Sequence, residues 1–167
     1  MNFVAIDFET ANPNSDSACA IGLVKVENFQ VVEQVEYLIR PPTNWFEFTH
    51  IHDIDWSMVV NQPTFGELHP QIDKFLAGAD FLAAHNASFD RRVLAACRAT
   101  YQIDRQPHRF LCTVQLARQQ WQIKPTKLSD VCRKLEIQLQ HHNALSDAHA
   151  CAQIIIAAGA KATFKIS

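Results

Sequence analysis

The order of the apolar segments restricts this chain more than any other feature. Three β-rich stretches fill residues 1–39, and helical patterns begin only after them. Phe3 to Phe8 is a short run of β-forming residues and reads as a buried strand. Cys19 to Val26 and Val31 to Ile39 follow as an antiparallel pair, with Glu27-Asn28-Phe29-Gln30 as the turn between them. Pro41-Pro42 ends this run of strands, because proline has no N–H to give to a ladder. After a loop-rich stretch to Pro63, Thr64-x-x-Glu67 predicts a capping box that opens a helix through Leu76. Asp80 to Ala84 reads as a strand, and Ser88 to Tyr101 as a helix. Phe110 to Thr113 is a short strand, with helices at Val114 to Trp121, Lys127 to Leu135 and Ala144 to Ala158. Strands first, then strands alternating with helices, predict an α/β fold: a mixed central β-sheet flanked by α-helices.

Nothing interrupts this pattern. No low-complexity tract, repeat or Gly/Ser linker divides the 167 residues, so one domain over 1–167 is expected. A hydrophobic content of 48% against 19% charged residues suits a soluble globular protein. The five cysteines are widely spaced and include no C-x-x-C pair, which argues against a disulfide scaffold or a zinc site. Reduced thiols in a cytoplasmic protein are expected. The N-terminus carries Asp7 and Glu9 where the apolar segment of a secretory signal would lie. The longest uncharged apolar stretch, Ile154 to Ala160, is too short to span a bilayer, so no membrane partner is expected.

The formal net charge of −2 hides a strong asymmetry. Residues 1–90 hold 3 Lys and Arg against 13 Asp and Glu, whereas residues 91–134 hold 10 against 2. A charge run is usually a solvated helical face. Beside an acidic site it also suits a polyanion, and then neutralising Arg91 and Arg92 should weaken binding and flatten its salt dependence.

The acids themselves point to chemistry. Asp7, Glu9, Asp90 and Asp147 each stand inside or beside an apolar run, where an ionised group is unfavourable without a partner. Four such carboxylates without matching basic partners imply a divalent metal, and a metal pair implies phosphate chemistry. Asp7 and Glu9 are two apart on a strand, so their side chains share one face, while Val4, Ile6 and Phe8 take the other. Alone, such a D-x-E is more often a solvated strand face. Asp90 closes AAHNASFD at a strand-to-helix passage, where an acid also suits the helix dipole. Asn86 suits either a helix cap or a ligand-orienting role, and Phe89 either the core or a platform for a base. In HHNALSDAHA, Asp147 opens the last helix and His142 lies on the loop before it, placed to accept a proton near a metal site. His141 is its close competitor in sequence, but only His142 has four residues between itself and Asp147.

These three segments resemble the three motifs of the DEDDh family of 3′→5′ exonucleases, which includes the proofreading epsilon subunit of bacterial DNA polymerase III. The first matches as Asp7-Phe8-Glu9-Thr10, the second as His85-Asn86 through Phe89-Asp90, and the third as His142 through Asp147. Each motif alone is weak; the ordered set, spread over nearly the whole chain, is specific. Asn143 stands where the related DEDDy subgroup carries a tyrosine nearer the aspartate, which disfavours that subgroup. The resemblance implies a ribonuclease H-like fold and a catalytic set of Asp7, Glu9, Asp90, His142 and Asp147. It implies that Asp7 bridges two Mg²⁺ or Mn²⁺ ions about 3.5–4 Å apart, with Glu9 and Asp147 on one ion and Asp90 serving the other. His142, with an ordinary pKa of about 6.5, would take the proton of the attacking water. Phe8, Thr10, Asn86 and Phe89 would contact the substrate, Thr10 at the 3′-hydroxyl and Phe89 at the last base. The implied partner is a single-stranded nucleic acid 3′ end, and the implied product a nucleoside 5′-monophosphate.

One departure concerns Ile51-His52-Asp53-Ile54, which lies where similar members carry H-G-I. Asp53 in place of that glycine requires a different or a strained backbone and adds a negative charge near an anionic substrate. DNA ends are the favoured substrate. An exoribonuclease would use the same residues, and a non-catalytic nucleic-acid-binding subunit is disfavoured because all five positions are intact. The chain ends at Ser167 soon after the last helix, without the tail a polymerase subunit uses to reach its polymerase. A stand-alone exonuclease is therefore expected, with a polymerase partner not indicated.

Overall fold

The computed structural model describes residues 1–104, 107–159 and 166. Five strands form one mixed sheet: β1 Asn2–Thr10, β2 Ala18–Glu27, β3 Gln30–Leu38, β4 Phe81–Ala84 and β5 Phe110–Cys112, in the order β3-β2-β1-β4-β5. β1 and β2 pair antiparallel, as do β2 and β3, while β4 runs parallel to β1 and β5 parallel to β4. The expected turn at residues 27–30 is tight. Asn28 and Phe29 both have positive φ, the conformation that lets a two-residue turn follow the twist of its strands.

Seven helices accompany the sheet among the described residues: α1 Thr49–His52, α2 Trp56–Val59, α3 Phe65–Leu76, α4 Ser88–Thr100, α5 Thr113–Trp121, α6 Leu128–Leu135 and α7 Ala144–Ala158. Alternation along β1 divides the core. Val4, Ile6 and Phe8 pack against Phe65, Ile72 and Phe75 of α3 and Val93, Leu94 and Cys97 of α4. Phe3 and Ala5 pack on the opposite face against α5, α6 and α7. The capping box at α3 forms as expected, with the Glu67 amide donating to Thr64 Oγ1 at 3.3 Å and the Thr64 amide to Glu67 Oε2 at 2.7 Å. The stretch read as loop before Pro63 instead contains α1 and α2, each one turn long and too short to show a helical period.

Gly22 decides how closely α7 approaches the sheet. It lies opposite Asp7 in the β1–β2 register. A Cβ at this position would overlap the carbonyl group of Ala144 and the amide of Leu145. Only a residue without a side chain lets the first turn of α7 rest on β2. Ala148, Ala150, Cys151 and Ala152 continue the close contact along the helix.

On the other face, α3 and α4 are joined by a charged cluster. Arg98, nearly buried, donates from Nη2 to Asp73 Oδ1 at 2.7 Å, and Asp73 Oδ2 meets His69 Nε2 at 2.8 Å. Asp73→Asn removes the charge opposing a guanidinium that has little access to water. It should lower unfolding free energy by about 3 kcal/mol, as removal of one partner from a buried ion pair does. Denaturant unfolding checks this, and a loss of less than about 0.5 kcal/mol, typical of surface changes, would refute it.

Candidate active site

Parallel pairing brings the C-terminal ends of β1 and β4 to the same edge of the sheet, where open α/β sheets place their ligands. Asp7 and Glu9 occupy that end of β1, and the chain leaving β4 enters α4 with Asp90 in its first turn. Asp90 is buried, and its Oδ1 accepts from the Phe8 amide at 3.1 Å, which ties α4 to the strand between the first two acids. α7, seated over Gly22, supplies Asp147 on the face of the sheet that carries Asp7. Donor oxygens of Asp7, Glu9 and Asp147 lie within 4.8 Å of one another. These three side chains line a cleft with Phe8, Thr10, Phe48, Ile51, His52, Phe89 and His142.

The acids repel one another. Burial raises the pKa of Asp7, and Asp90, Asp147 and Glu9 raise it further. Glu9 is pushed up to about 7, first by burial and then by Asp147 and Glu36. Burial is likewise the main cause of the upward shifts at Asp90 and Asp147. The residues fit a hard divalent cation with oxygen ligands. Among the described residues, Asp147 Oδ1 is buried without a hydrogen-bond partner, and no Lys or Arg lines the cleft to neutralise the cluster.

A pH dependence of stability follows. Glu9 titrates near its ordinary 4.5 in the unfolded chain and near 7 in the folded one. Between these values the folded state binds more protons, so metal-free protein loses stability as pH rises through that window. A cation holding the ionised acids cancels the loss. Melting temperature with chelator should therefore fall from pH 5 to pH 8, and added Mg²⁺ should raise it more at pH 8. A melting temperature independent of pH with chelator would contradict this account.

The third segment is arranged in more detail than its spacing showed. Asn143 caps α7 by accepting from the Ser146 amide at 2.9 Å. Glu36 of β3 accepts from the Leu145 amide and from Asn143 Nδ2, each at 3.3 Å. Asp147 Oδ2 meets His141 Nδ1 at 3.1 Å and accepts from the backbone amide of His142 at 3.3 Å. His141 makes the hydrogen-bond contact with Asp147, while the ring of His142, also with a nitrogen within 4.8 Å of that carboxylate, lines the cleft. The two rings stack, with centroids 3.8 Å apart. His142 adopts a left-handed conformation, φ 65°, and burial followed by the neighbouring His141 lowers its pKa.

Of the expected substrate contacts, Phe8, Thr10 and Phe89 line the cleft. Asn86 is exposed in a left-handed turn before α4, where its Oδ1 accepts from the Ser88 hydroxyl at 3.2 Å, and it is not among the lining residues. Sequence reasoning missed Phe48 and His52. His52 is buried, its Nε2 donates to the Thr10 carbonyl at 3.0 Å, and its Nδ1 accepts from the Ile54 amide at 3.1 Å. The signal available was Ile51 to Ile54, noted only for its missing glycine. Asp53 stands there with φ 60°, the left-handed conformation that glycine would adopt without strain.

A mixed sheet with carboxylates gathered where parallel strands end defines a nuclease domain of the ribonuclease H-like class. More narrowly, the chain belongs to the exonuclease family, which it matches over residues 4–155. It is 33% identical to the DNA polymerase III PolC-type protein of Caldanaerobacter subterraneus subsp. tengcongensis, over 92% of this chain and 11% of that protein. It is also 33% identical to Exodeoxyribonuclease 10 of Escherichia coli (strain K12), over 81% of this chain and 59% of that protein. The chain thus corresponds to only part of either relative's length. Among solved structures it resembles Exonuclease X in complex with 5′ overhanging duplex DNA, at 27% identity and a TM-score of 0.76, over 96% of this chain and 94% of that one. The five cysteines are unpaired, and no helix among the described residues is long and apolar enough to cross a membrane.

Proposed function

We propose that this domain, spanning 1–167, hydrolyses the terminal phosphodiester of single-stranded DNA 3′ ends and releases nucleoside 5′-monophosphates one at a time. Two Mg²⁺ or Mn²⁺ ions are its cofactors. The observation that carries the reading is the gathering of Asp7, Glu9 and Asp147 within 4.8 Å, with Asp147 Oδ1 unpartnered among the described residues. Asp7, Glu9 and Asp147 would hold one ion, and Asp90 would serve the other. When bound, the ions supply Lewis-acid stabilisation of the attacking and leaving oxygens of an in-line displacement.

The remaining work falls to other side chains. His142 is kept neutral by its surroundings, and a ring nitrogen takes the proton as the water oxygen bonds to phosphorus and the bond from phosphorus to the 3′-oxygen breaks. Thr10 and the backbone around Glu9 hold the terminal 3′-hydroxyl. Phe89, Phe48 and Ile51 present apolar surface to the last base, a contact that tolerates any base. DNA is favoured because Exonuclease X, similar over nearly the whole chain, is bound to DNA.

Digestion of 5′-labelled single-stranded DNA and RNA of matched sequence tests this reading, with Mg²⁺, Mn²⁺ or chelator. A ladder that shortens from the 3′ end of DNA and disappears with chelator is expected. Faster shortening of RNA would reassign the substrate, and no cleavage with either metal would sink the enzymatic reading.

A further inference from the structure

Beside its acids and apolar side chains the cleft holds Thr10, His52 and His142, and among the described residues no Lys or Arg lines it for a polyanionic strand. The cation must come from immediately outside. The sequence offered Arg91 and Arg92 as a pair, and the structure separates them. Arg91 lies over the ring of Phe110 at 5.1 Å, at the β5 edge of the sheet. Arg92 lies over the ring of Phe89, 5.7 Å from its centroid, and Phe89 lines the cleft. Arg92 is exposed, and its Nε donates to Ser15 Oγ at 3.2 Å, which fixes the guanidinium between α4 and the loop after β1.

We infer that Arg92 is the phosphate-binding residue for the strand just upstream of the scissile bond, so that Phe89 receives the last base and Arg92 the phosphate one nucleotide further upstream. This rests on the proposed exonuclease reading. The arrangement suits the task. A guanidinium is planar and stacks on an aromatic face while its terminal nitrogens remain directed towards phosphate oxygens. Its tether to Ser15 reduces the side-chain freedom lost when a strand binds. A charge outside the carboxylate cluster also avoids competing with the cations for Asp7, Glu9 and Asp147. The inference assigns specificity as well: it requires a phosphate upstream of the scissile one, which a dinucleotide lacks.

The test compares wild type, Arg92→Ala and Arg92→Lys on a labelled single-stranded 12-mer and on a dinucleotide across a range of salt. Arg92→Ala should raise KM on the longer strand by about five- to tenfold, with a much smaller change in kcat. Its plot of log affinity against log salt should be shallower by about 0.7, the loss of one phosphate contact on a single strand. On the dinucleotide the difference between variant and wild type should narrow. Arg92→Lys keeps the charge, so the salt slope should stay near wild type. Unchanged KM and salt slope in Arg92→Ala, with wild type active, would overturn the inference and leave the exonuclease reading intact. If wild type does not cleave, anisotropy of the same 12-mer with Ca²⁺ decides between the two claims. Weaker binding and a shallower salt slope in Arg92→Ala would keep the phosphate contact and sink only the activity, and equal binding would sink both.

Discussion

Asp7→Asn should lose at least about a thousandfold in kcat, because its carboxylate is central to the proposed cation-holding set. The same change should make the metal-free protein more stable. Burial and three nearby carboxylates raise the pKa of Asp7, so at neutral pH its ionised form is held against desolvation and repulsion. An amide of the same shape removes that penalty. A higher melting temperature than wild type is therefore expected at pH 8 with chelator. Activity and melting temperature should therefore move in opposite directions. A variant that is inactive and also less stable under chelation would show that Asp7 serves the fold instead of a cation.

Gly22→Ala should be the most damaging single-methyl change in the protein. The added carbon meets backbone, the carbonyl of Ala144 and the amide of Leu145, so no side chain can turn aside to make room. Overpacking of this kind costs about 1–3 kcal/mol. The larger effect is geometric. Pushing the first turn of α7 off β2 moves Asp147 away from Asp7 and moves His142 with it. Misplacement by about 1 Å costs on the order of a hundredfold in rate. Thermal unfolding and kcat measured on the same preparation separate the two effects. Near-normal melting with near-normal kcat would mean that α7 is not positioned by this contact.

The parts of this fold that were legible in sequence are those dictated locally. Alternation in Phe3 to Phe8 assigns opposite faces within β1, and Thr64 with Glu67 marks the start of α3 through hydrogen bonds made three residues apart. What stayed hidden depends on contacts between distant segments. Gly22 reads as an unremarkable strand residue until α7 lies across it. His52 reads as one of eight histidines until its ring reaches the Thr10 carbonyl. Spacing singled out His142, and counting residues does not reveal that His141 Nδ1 lies 3.1 Å from Asp147 Oδ2. α1 and α2 were missed for a different reason, since one turn of helix carries no period to detect.

The cleft draws on both ends of the sequence. Phe8 meets Asp90 across 82 positions, and Glu36 meets Leu145 across 109. During synthesis a chain emerges N-terminus first. Until α7 has left the ribosome, Asp7, Glu9 and Asp90 are present without Asp147 or His142. On the proposed reading, a nascent chain is thus a silent precursor, and hydrolytic competence appears only when α7 docks.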